Sequence, residues 1–261
     1  MAKYKEALYI VSAHIAQLGI TFGQQTVYDK SNEIPAVQEL IRKLNLEGCI
    51  VVADALNCQK ETAKAIVEAK ADYLLSVKDN HENLATDIAD YIQDDDLRRD
   101  MATEKTLEKS RNRVEVERRT AFVTEDISWL YGKDDWVRLA CIGAIHTQVT
   151  TAKGEKSEWH YYISSRKLTP KDLLMHARLE WSVKSMHWLL DVHFAEDFCR
   201  VEDKYVQQNL NMIRKIVLNY IKRYKELNDV KLPLSKIMFD CLLELDNLLH
   251  ILLHILDSVE S

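Results

Sequence analysis

The sequence predicts a mixed α/β fold, in which helices flank a sheet with both antiparallel and parallel strands. Residues 49–78 read as an apolar strand, a helix and a second apolar strand, which is the pattern of a parallel β-α-β unit. Residues 7–13 and 20–28 are strand-like runs joined by a short turn at Gly19, which favours an antiparallel hairpin. We expect this hairpin to feed the same sheet.

Composition limits the class of protein. The chain has 261 residues and is 47% hydrophobic, with only three Pro and six Gly, which favours one large domain with a real core. The five Cys are widely spaced and lack zinc-like pairing, as expected for free thiols in a reducing cytoplasm. No apolar run approaches the ~18–20 residues of a membrane span, so we expect a soluble, cytoplasmic protein without membrane contact.

The first helix and the elements after the β-α-β unit follow from local signals. Residues 31–35 resemble a helix start with Pro35 in the first turn, and this helix should end near Gly48. Residues 81–110 are rich in charge and predict a solvated helical stretch. The later strands and helices are predicted at 113–124, 138–146 and 158–165 for strands, and at 170–226 and 234–258 for helices.

The segment 204–225 contains no acidic residue and is amphipathic. Its apolar stripe comprises Val206, Leu210, Ile213, Val217, Ile221 and Tyr224. Its polar face comprises Lys204, Gln208, Asn211, Lys215, Lys222 and Lys225. The spacing predicts a helix whose stripe faces the core. The basic face is then either a solvated surface or a surface that tracks DNA phosphates, and a net charge of −6 makes this local distribution more informative than the total.

Asp54 follows the apolar run VVAD, at the carboxyl end of a strand expected to be buried. Sites of α/β sheets lie at such strand ends, and a carboxylate there can bind a divalent cation. A turn or helix-capping Asp is the alternative interpretation. Asn57 could supply the cap of the next helix, which would leave Asp54 available for another role.

The segment from Trp181 to Asp203 concentrates Trp, His and acidic residues in one helical run. Helical spacing places several groups of this region on a common face: Arg178, Trp181, Lys184, His187, Trp188 and Asp191. Such groups can stack on bases and grip phosphates. Core packing of the two Trp, and a buried or supporting role for His187, are the alternatives.

Five segments together are similar to one known family. They are KSNEIPAVQELI (30–41), GCIVVADALNCQKETAKAI (48–66), DYLLSVKDNH (72–81), YYISS (161–165) and the W-x-x-x-x-M-H-W-L-L-D-V-H-F-x-E-D run from Trp181. In this order the chain resembles the H-repeat-associated transposases, a branch of the DDE transposases of bacterial insertion sequences. The resemblance implies an RNase H-like fold, DNA cleavage and strand transfer at transposon ends, and two Mg²⁺ ions as cofactors.

The resemblance also implies the site residues. The second catalytic acid falls on Asp54, while Lys184 occupies the position where the family has its third acid. The first acid belongs to an Asp-Gly-Lys stretch that this sequence lacks, so we expect an N-terminally truncated chain with an exposed sheet edge. Domains are expected at 1–80 for part of the catalytic core, 81–170 for a β-rich insertion, 171–227 for the rest of the core, and 228–261 for a helical tail.

Three hypotheses remain open at this stage. The chain is a catalytically inactive, DNA-binding transposase; or an active metal nuclease that uses a substitute carboxylate such as Asp191; or a non-catalytic module that assembles with itself or with a full-length transposase through its apolar tail. Under the first hypothesis the predicted DNA contacts are Lys78, Asn80, Arg178, Trp181, His187, Trp188, Lys204, Arg214, Lys215 and Lys222.

Overall fold

A computed structural model describes residues 9–27, 32–109 and 116–257. It divides the chain into two compact units, here named the sheet unit (37–180) and the helical unit (1–36 with 181–261). The predicted α/β class is confirmed, with a mixed sheet, flanking helices and a helical C-terminal region. In the described part of the chain, no helix is both long enough and apolar enough to cross a membrane.

Among the described residues of the sheet unit, six strands form one sheet in the order β3-β4-β8-β7-β6-β5. The strands are β3 (Ile50–Ala53), β4 (Asp72–Val77), β5 (Ala102–Lys109), β6 (Val116–Thr124), β7 (Cys141–Thr151) and β8 (Gly154–Ser164). The predicted parallel pairing of β3 with β4 is confirmed, and the other pairs are antiparallel. Since β3 pairs with β4 alone among the described strands, it is an edge strand of this sheet.

Helices cover the sheet through regularly spaced apolar positions. These helices are α1 (Glu33–Lys43), α2 (Lys60–Glu68), α3 (Glu82–Gln93) and α4 (Asp95–Arg99). Helix α3 buries Leu84, Ile88 and Ile92, one per turn, in the largest apolar cluster. The prediction of a solvated helical stretch over 81–110 is therefore wrong in two respects. Helix α3 has a face in the core, and the last residues of the stretch form the strand β5.

Helix α5 (Pro170–Phe194) begins in the sheet unit and continues into the helical unit. Its first turns lie against β7 at Gly143, where an added Cβ would come within 2.6 Å of Leu173 Cδ2. Gly143 leaves room for this side chain, because an added Cβ would force Leu173 to shift. Leu173 is fully buried by this contact.

In the helical unit, β1 (Tyr9–Ile15) and β2 (Ile20–Val27) form an antiparallel hairpin, as predicted. The expectation that it feeds the sheet of β3 and β4 is wrong, because β1 and β2 make a separate two-stranded sheet. The hairpin instead packs against helix α6 (Lys204–Leu227). Asn219 of α6 bonds both backbone groups of Thr21, accepting from its N–H at 2.9 Å and donating to its carbonyl at 2.6 Å.

Helices α6, α7 (Leu234–Leu243) and α8 (Leu245–Asp257) and the last turns of α5 enclose a second apolar cluster. Its buried members are Met186, Leu190, Leu218, Ile221, Leu234, Ile237 and Ile251. The helical region predicted over 170–226 is interrupted between α5 and α6, where Ala195 adopts a left-handed backbone conformation. Asp203 then caps α6 by accepting from the Val206 N–H at 2.9 Å.

Helix α6 is oriented differently from the prediction. Val206, Ile213 and Val217, expected in the core, are exposed, whereas Asn211 and Lys215, expected on the solvated face, are buried. The reason is the chemistry of the hairpin, whose inner face presents Ser12, Gln24 and other polar groups to α6. The polar side of the helix satisfies these groups by hydrogen bonds, so Val206, Ile213 and Val217 are left facing outward, while Ile221 at the other end of the stripe is buried as predicted.

Candidate functional site

Asp54 is exposed and lies at the carboxyl end of β3, as predicted. The expectation that this strand is buried is wrong, because β3 is a half-buried edge strand. Its Oδ1 accepts from the backbone N–H of Asn57 at 3.2 Å and from Asn57 Nδ2 at 3.0 Å. These bonds shape the turn between β3 and α2. The suggestion that Asn57 caps α2 is wrong, because Gln59 is the N-cap residue and makes no side-chain cap bond.

The loop after β4 lies beside the loop that carries Asp54. Asn80 Nδ2 donates to the carbonyl of Ala55, and the His81 Nε2 atom lies 2.6 Å from the carbonyl of Cys58. Because β3 and β4 are parallel, their carboxyl ends meet at one edge of the sheet. The structure therefore brings together Asp54, Lys78 and Asn80, three of the residues singled out from sequence.

Cys58 lies in the same loop but has a structural character. It is fully buried. Burial, and to a smaller extent the negative charge of nearby Asp54, raises the pKa of its thiol to about 12. A thiol with such a pKa stays protonated near neutral pH, which disfavours its use as a nucleophile. His81, which packs edge-on against Trp136 with ring centroids 5.4 Å apart, holds this loop from the other side.

Lys184 is exposed on α5, three residues before His187. The pKa of His187 is lowered by desolvation first and by the Lys215 charge second, with Asp191 opposing the change. Glu196, the other nearby acid, has a raised pKa because of burial, despite Lys215 and Arg214, and accepts a hydrogen bond from Asn211 Nδ2. The surroundings of His187 thus include the cation Lys215, and the Glu196 carboxylate is engaged by Asn211.

These residues do not fit a magnesium site. In the part of the chain that the structure describes, no group of three or more His, Cys, Asp or Glu side chains is placed to hold a metal ion. Asp54 has Asn57 as its hydrogen-bonding neighbour rather than a second carboxylate. Hard cations need several oxygen ligands, which this arrangement does not supply.

The other predicted DNA contacts on α5 have different environments. Arg178 forms a two-pronged ion pair with Glu108 of β5, with Nη2 donating to Oε2 at 3.1 Å. Trp188 is 58% exposed and lies edge-on to His193, so the alternative of core packing is wrong for this residue. The side chain of Trp181 lies outside the described residues.

The basic residues of α6 are mostly directed inward. Lys215 is only 5% exposed, and Lys222 Nζ donates to the carbonyl of Gly19 at 2.7 Å. Lys204 and Arg214 are partly buried, and Arg214 lies near Glu196. The expected solvated basic face is therefore wrong for Lys215 and Lys222, and DNA contact by these four residues stays a prediction.

Sequence reasoning missed His14, which lies among these cations. Both of its ring nitrogens are buried without a described hydrogen-bond partner, and its pKa is lowered to about 4 by burial, then by Lys222 and His187. An isolated His in a strand gives no sequence signal of this kind. His14 is therefore neutral near pH 7, which reflects its desolvated position beside Lys222 in the helical unit.

Comparisons with known proteins agree with the quoted motifs. The family model described as "Transposase DDE domain" matches residues 2–220. Putative transposase YncI of Escherichia coli O157:H7 is 30% identical over 236 residues, which cover 86% of this chain and 59% of that protein. H repeat-associated putative transposase YhhI of Escherichia coli K12 is 27% identical over 232 residues, covering 86% of this chain and 61% of that protein.

A solved structure of the piggyBac transposase synaptic complex with hairpin DNA is 10% identical, with a TM-score of 0.47, covering 84% of this chain and 41% of that one. The chain spans about three fifths of the length of the curated relatives it matches. Within this chain, the match to the family model covers residues 2–220, which include Asp54 and Lys184. The chain therefore belongs to the family of proteins with a transposase DDE domain.

Proposed function

We propose that this chain is a DNA-binding transposase of the DDE family that does not itself cleave DNA. The observation that carries the proposal is the position of Asp54, exposed at the carboxyl end of β3 beside the loop with Lys78 and Asn80. This edge joins a carboxylate, an amide and a cation, groups that suit a phosphodiester and its associated ions. The DNA substrate we propose is a transposon end, by analogy with the family.

The lack of cleavage follows from Lys184. Members of the family use divalent metal ions, which carboxylates hold against the phosphate. A lysine ammonium at the third-acid position supplies no oxygen ligand, and its positive charge repels a divalent cation. Magnesium binding by this chain is therefore proposed to be weak. We also propose that residues 1–80 and 171–227 form the catalytic core, that 81–170 are an insertion and that 228–261 are a helical tail.

DNA binding is tested by fluorescence anisotropy with a labelled duplex taken from the DNA that flanks the gene. Lys78→Ala should weaken binding and reduce the slope of log K against log salt by about 1, because one phosphate contact is lost. Lys153→Ala is the matched control, since Lys153 is exposed at the turn between β7 and β8. If log K changes with log salt by the same slope for the wild type and Lys78→Ala, this edge of the sheet is not part of the DNA interface.

A second candidate function is a non-catalytic module that binds a full-length transposase. The observation in its favour is the outward position of leucines at the junction of α7 and α8, where Leu242, Leu243 and Leu245 are well exposed. Light scattering on a mixture of the two proteins measures the mass of a complex. A mass no larger than that of each protein alone would exclude this candidate.

A further inference from the structure

Ser12, Gln24 and Lys215 converge on the inner face of the hairpin in the helical unit. Ser12 and Gln24 are direct cross-strand partners of β1 and β2, so their side chains stand on the same face. Lys215 of α6 contacts both, with its Nζ 2.7 Å from Ser12 Oγ and 3.2 Å from Gln24 Oε1. A hydroxyl within hydrogen-bonding distance of an amine is the arrangement of a nucleophile and its general base.

Lys215 is suited to accept a proton. Its side chain is buried, and desolvation lowers its pKa to about 8, while the carboxylate of Glu196 opposes the change. His187 of α5 also lies near this amine, and its own lowered pKa keeps it neutral. Roughly a tenth of the Lys215 amines are therefore neutral at pH 7, far more than for a lysine with the ordinary pKa of 10.5.

The amide of Gln24 supplies an unused hydrogen-bond donor. Its Nε2 is buried and has no partner among the described residues, although its Oε1 accepts from Lys215. Leaving a buried donor unsatisfied costs free energy, so such a group calls for a ligand or a water molecule. A donor held in the same group of side chains as a nucleophile and its base can stabilise the oxyanion of an acyl-transfer reaction.

We propose that Ser12, Lys215 and Gln24 form a serine–lysine site that hydrolyses small, uncharged carboxylic esters. Lys215 Nζ takes the hydroxyl proton as Ser12 Oγ bonds to the ester carbonyl carbon, and Gln24 Nε2 donates to the carbonyl oxygen. The ester C–O bond then breaks, and the leaving alcohol takes the proton from Lys215. Water attacks the acyl-serine and gives a proton to Lys215, which returns it to Ser12 Oγ as the carboxylic acid leaves.

The burial of the three residues limits the substrate. Ser12 and Gln24 are half-buried and Lys215 is buried, so a short acyl group suits the site better than a long one. An uncharged ester also avoids the free-energy cost of burying a charge. The reaction involves neither Asp54 nor DNA, and it therefore stands or falls separately from the proposed function.

The test is the reaction of the full chain with p-nitrophenyl acetate. Acid quenching and peptide mapping by mass spectrometry locate the transferred acetyl group. We expect it on Ser12 of the wild type, and to the same extent in Ser157→Ala, a control at an exposed serine of β8. The rate of Ser12 acetylation should rise about tenfold from pH 7 to pH 9 and then level off, as the neutral fraction of Lys215 does.

The variants of Lys215 decide whether the amine acts as the base. Lys215→Met should slow acetylation of Ser12 by about 10²–10⁴-fold, the usual contribution of general base catalysis. If circular dichroism shows that this variant does not fold, Lys215→Arg replaces it, because a guanidinium still donates hydrogen bonds but does not accept the proton.

Three results would overturn the proposal. One is acetylation of surface lysines without acetylation of Ser12. Another is a folded Lys215 variant that acetylates Ser12 at the wild-type rate. The third is a Ser12 acetylation rate that continues to rise in proportion to hydroxide above pH 9, because it would show that hydroxide and not Lys215 removes the proton.

Discussion

Lys215 Nζ donates a hydrogen bond to Ser12 Oγ at 2.7 Å and so joins α6 to the first strand of the hairpin. A second bond goes to Gln24 Oε1 at 3.2 Å on the neighbouring strand. Desolvation lowers the pKa of Lys215 to about 8, with the Glu196 carboxylate opposing the change. The helical unit is thus assembled around a buried amine whose partners are mainly neutral.

The buried amine gives stability a predictable pH dependence. Below about pH 8 Lys215 is protonated in the folded and the unfolded chain, and the cost of burying its charge is fully present. Between the folded pKa of about 8 and the ordinary value of 10.5, the folded chain releases this proton first, so stability rises with pH. The gain should reach roughly 3 kcal/mol across this window.

Urea unfolding followed by circular dichroism measures this effect. The difference in unfolding free energy between wild type and Lys215→Met should change in favour of the wild type as pH rises from 8 towards 10.5. Lys153→Met, at an exposed lysine, should keep a constant difference from the wild type. Parallel pH curves for the wild type and Lys215→Met would show that burial does not perturb this amine.

The contact of Gly143 with Leu173 predicts a second stability effect. Gly143→Ala inserts a methyl group 2.6 Å from Leu173 Cδ2 and should cost about 1–3 kcal/mol. Leu173→Ala alone should cost about 2–5 kcal/mol through a cavity. The double variant should lose less than the sum, because the clash partner is gone, and thermal or urea melts of all four chains measure this coupling. Strict additivity would contradict the close approach.

Much of the fold follows from local sequence signals. The sequence predicts the hairpin, α1, the parallel β3-α2-β4 unit and the strands β6 to β8. Two predicted ends are wrong by five residues, since α1 ends at Lys43 rather than near Gly48 and β7 continues to Thr151. Their apolar periods are strong, and each is bounded by clear turn residues. In contrast, β5 has the sequence ATEKTLEK, whose charges resemble a solvated helix, and its strand pairing comes from long-range contact with β6.

The orientation of α6 shows what sequence pattern does not contain. Amphipathicity separates two faces, but it does not specify which face the rest of the protein covers. The polar inner face of the hairpin decides this, through Ser12 and Thr21, and these contacts link residues about 200 positions apart. For the same reason, the expectation that Lys215 and Lys222 lie on a solvated face is wrong.

The candidate site could likewise be predicted only in part from the sequence. Asp54 was predicted because a carboxylate after an apolar strand has a known location in parallel sheets. Its bonds to Asn57 could not be predicted, since they depend on the turn that the chain adopts. The significance of Lys184 came from the family resemblance, because an exposed lysine on a helix is unremarkable without that comparison.

We propose that this DDE-family chain does not cleave DNA because Lys184 stands at the third-acid position. Nicking of a supercoiled plasmid that carries the DNA flanking the gene, with Mg²⁺ present, tests this proposal. We predict no conversion to the nicked or linear form by the wild-type chain. Magnesium-dependent nicking that is lost in Asp54→Ala would contradict the claim and establish an active nuclease.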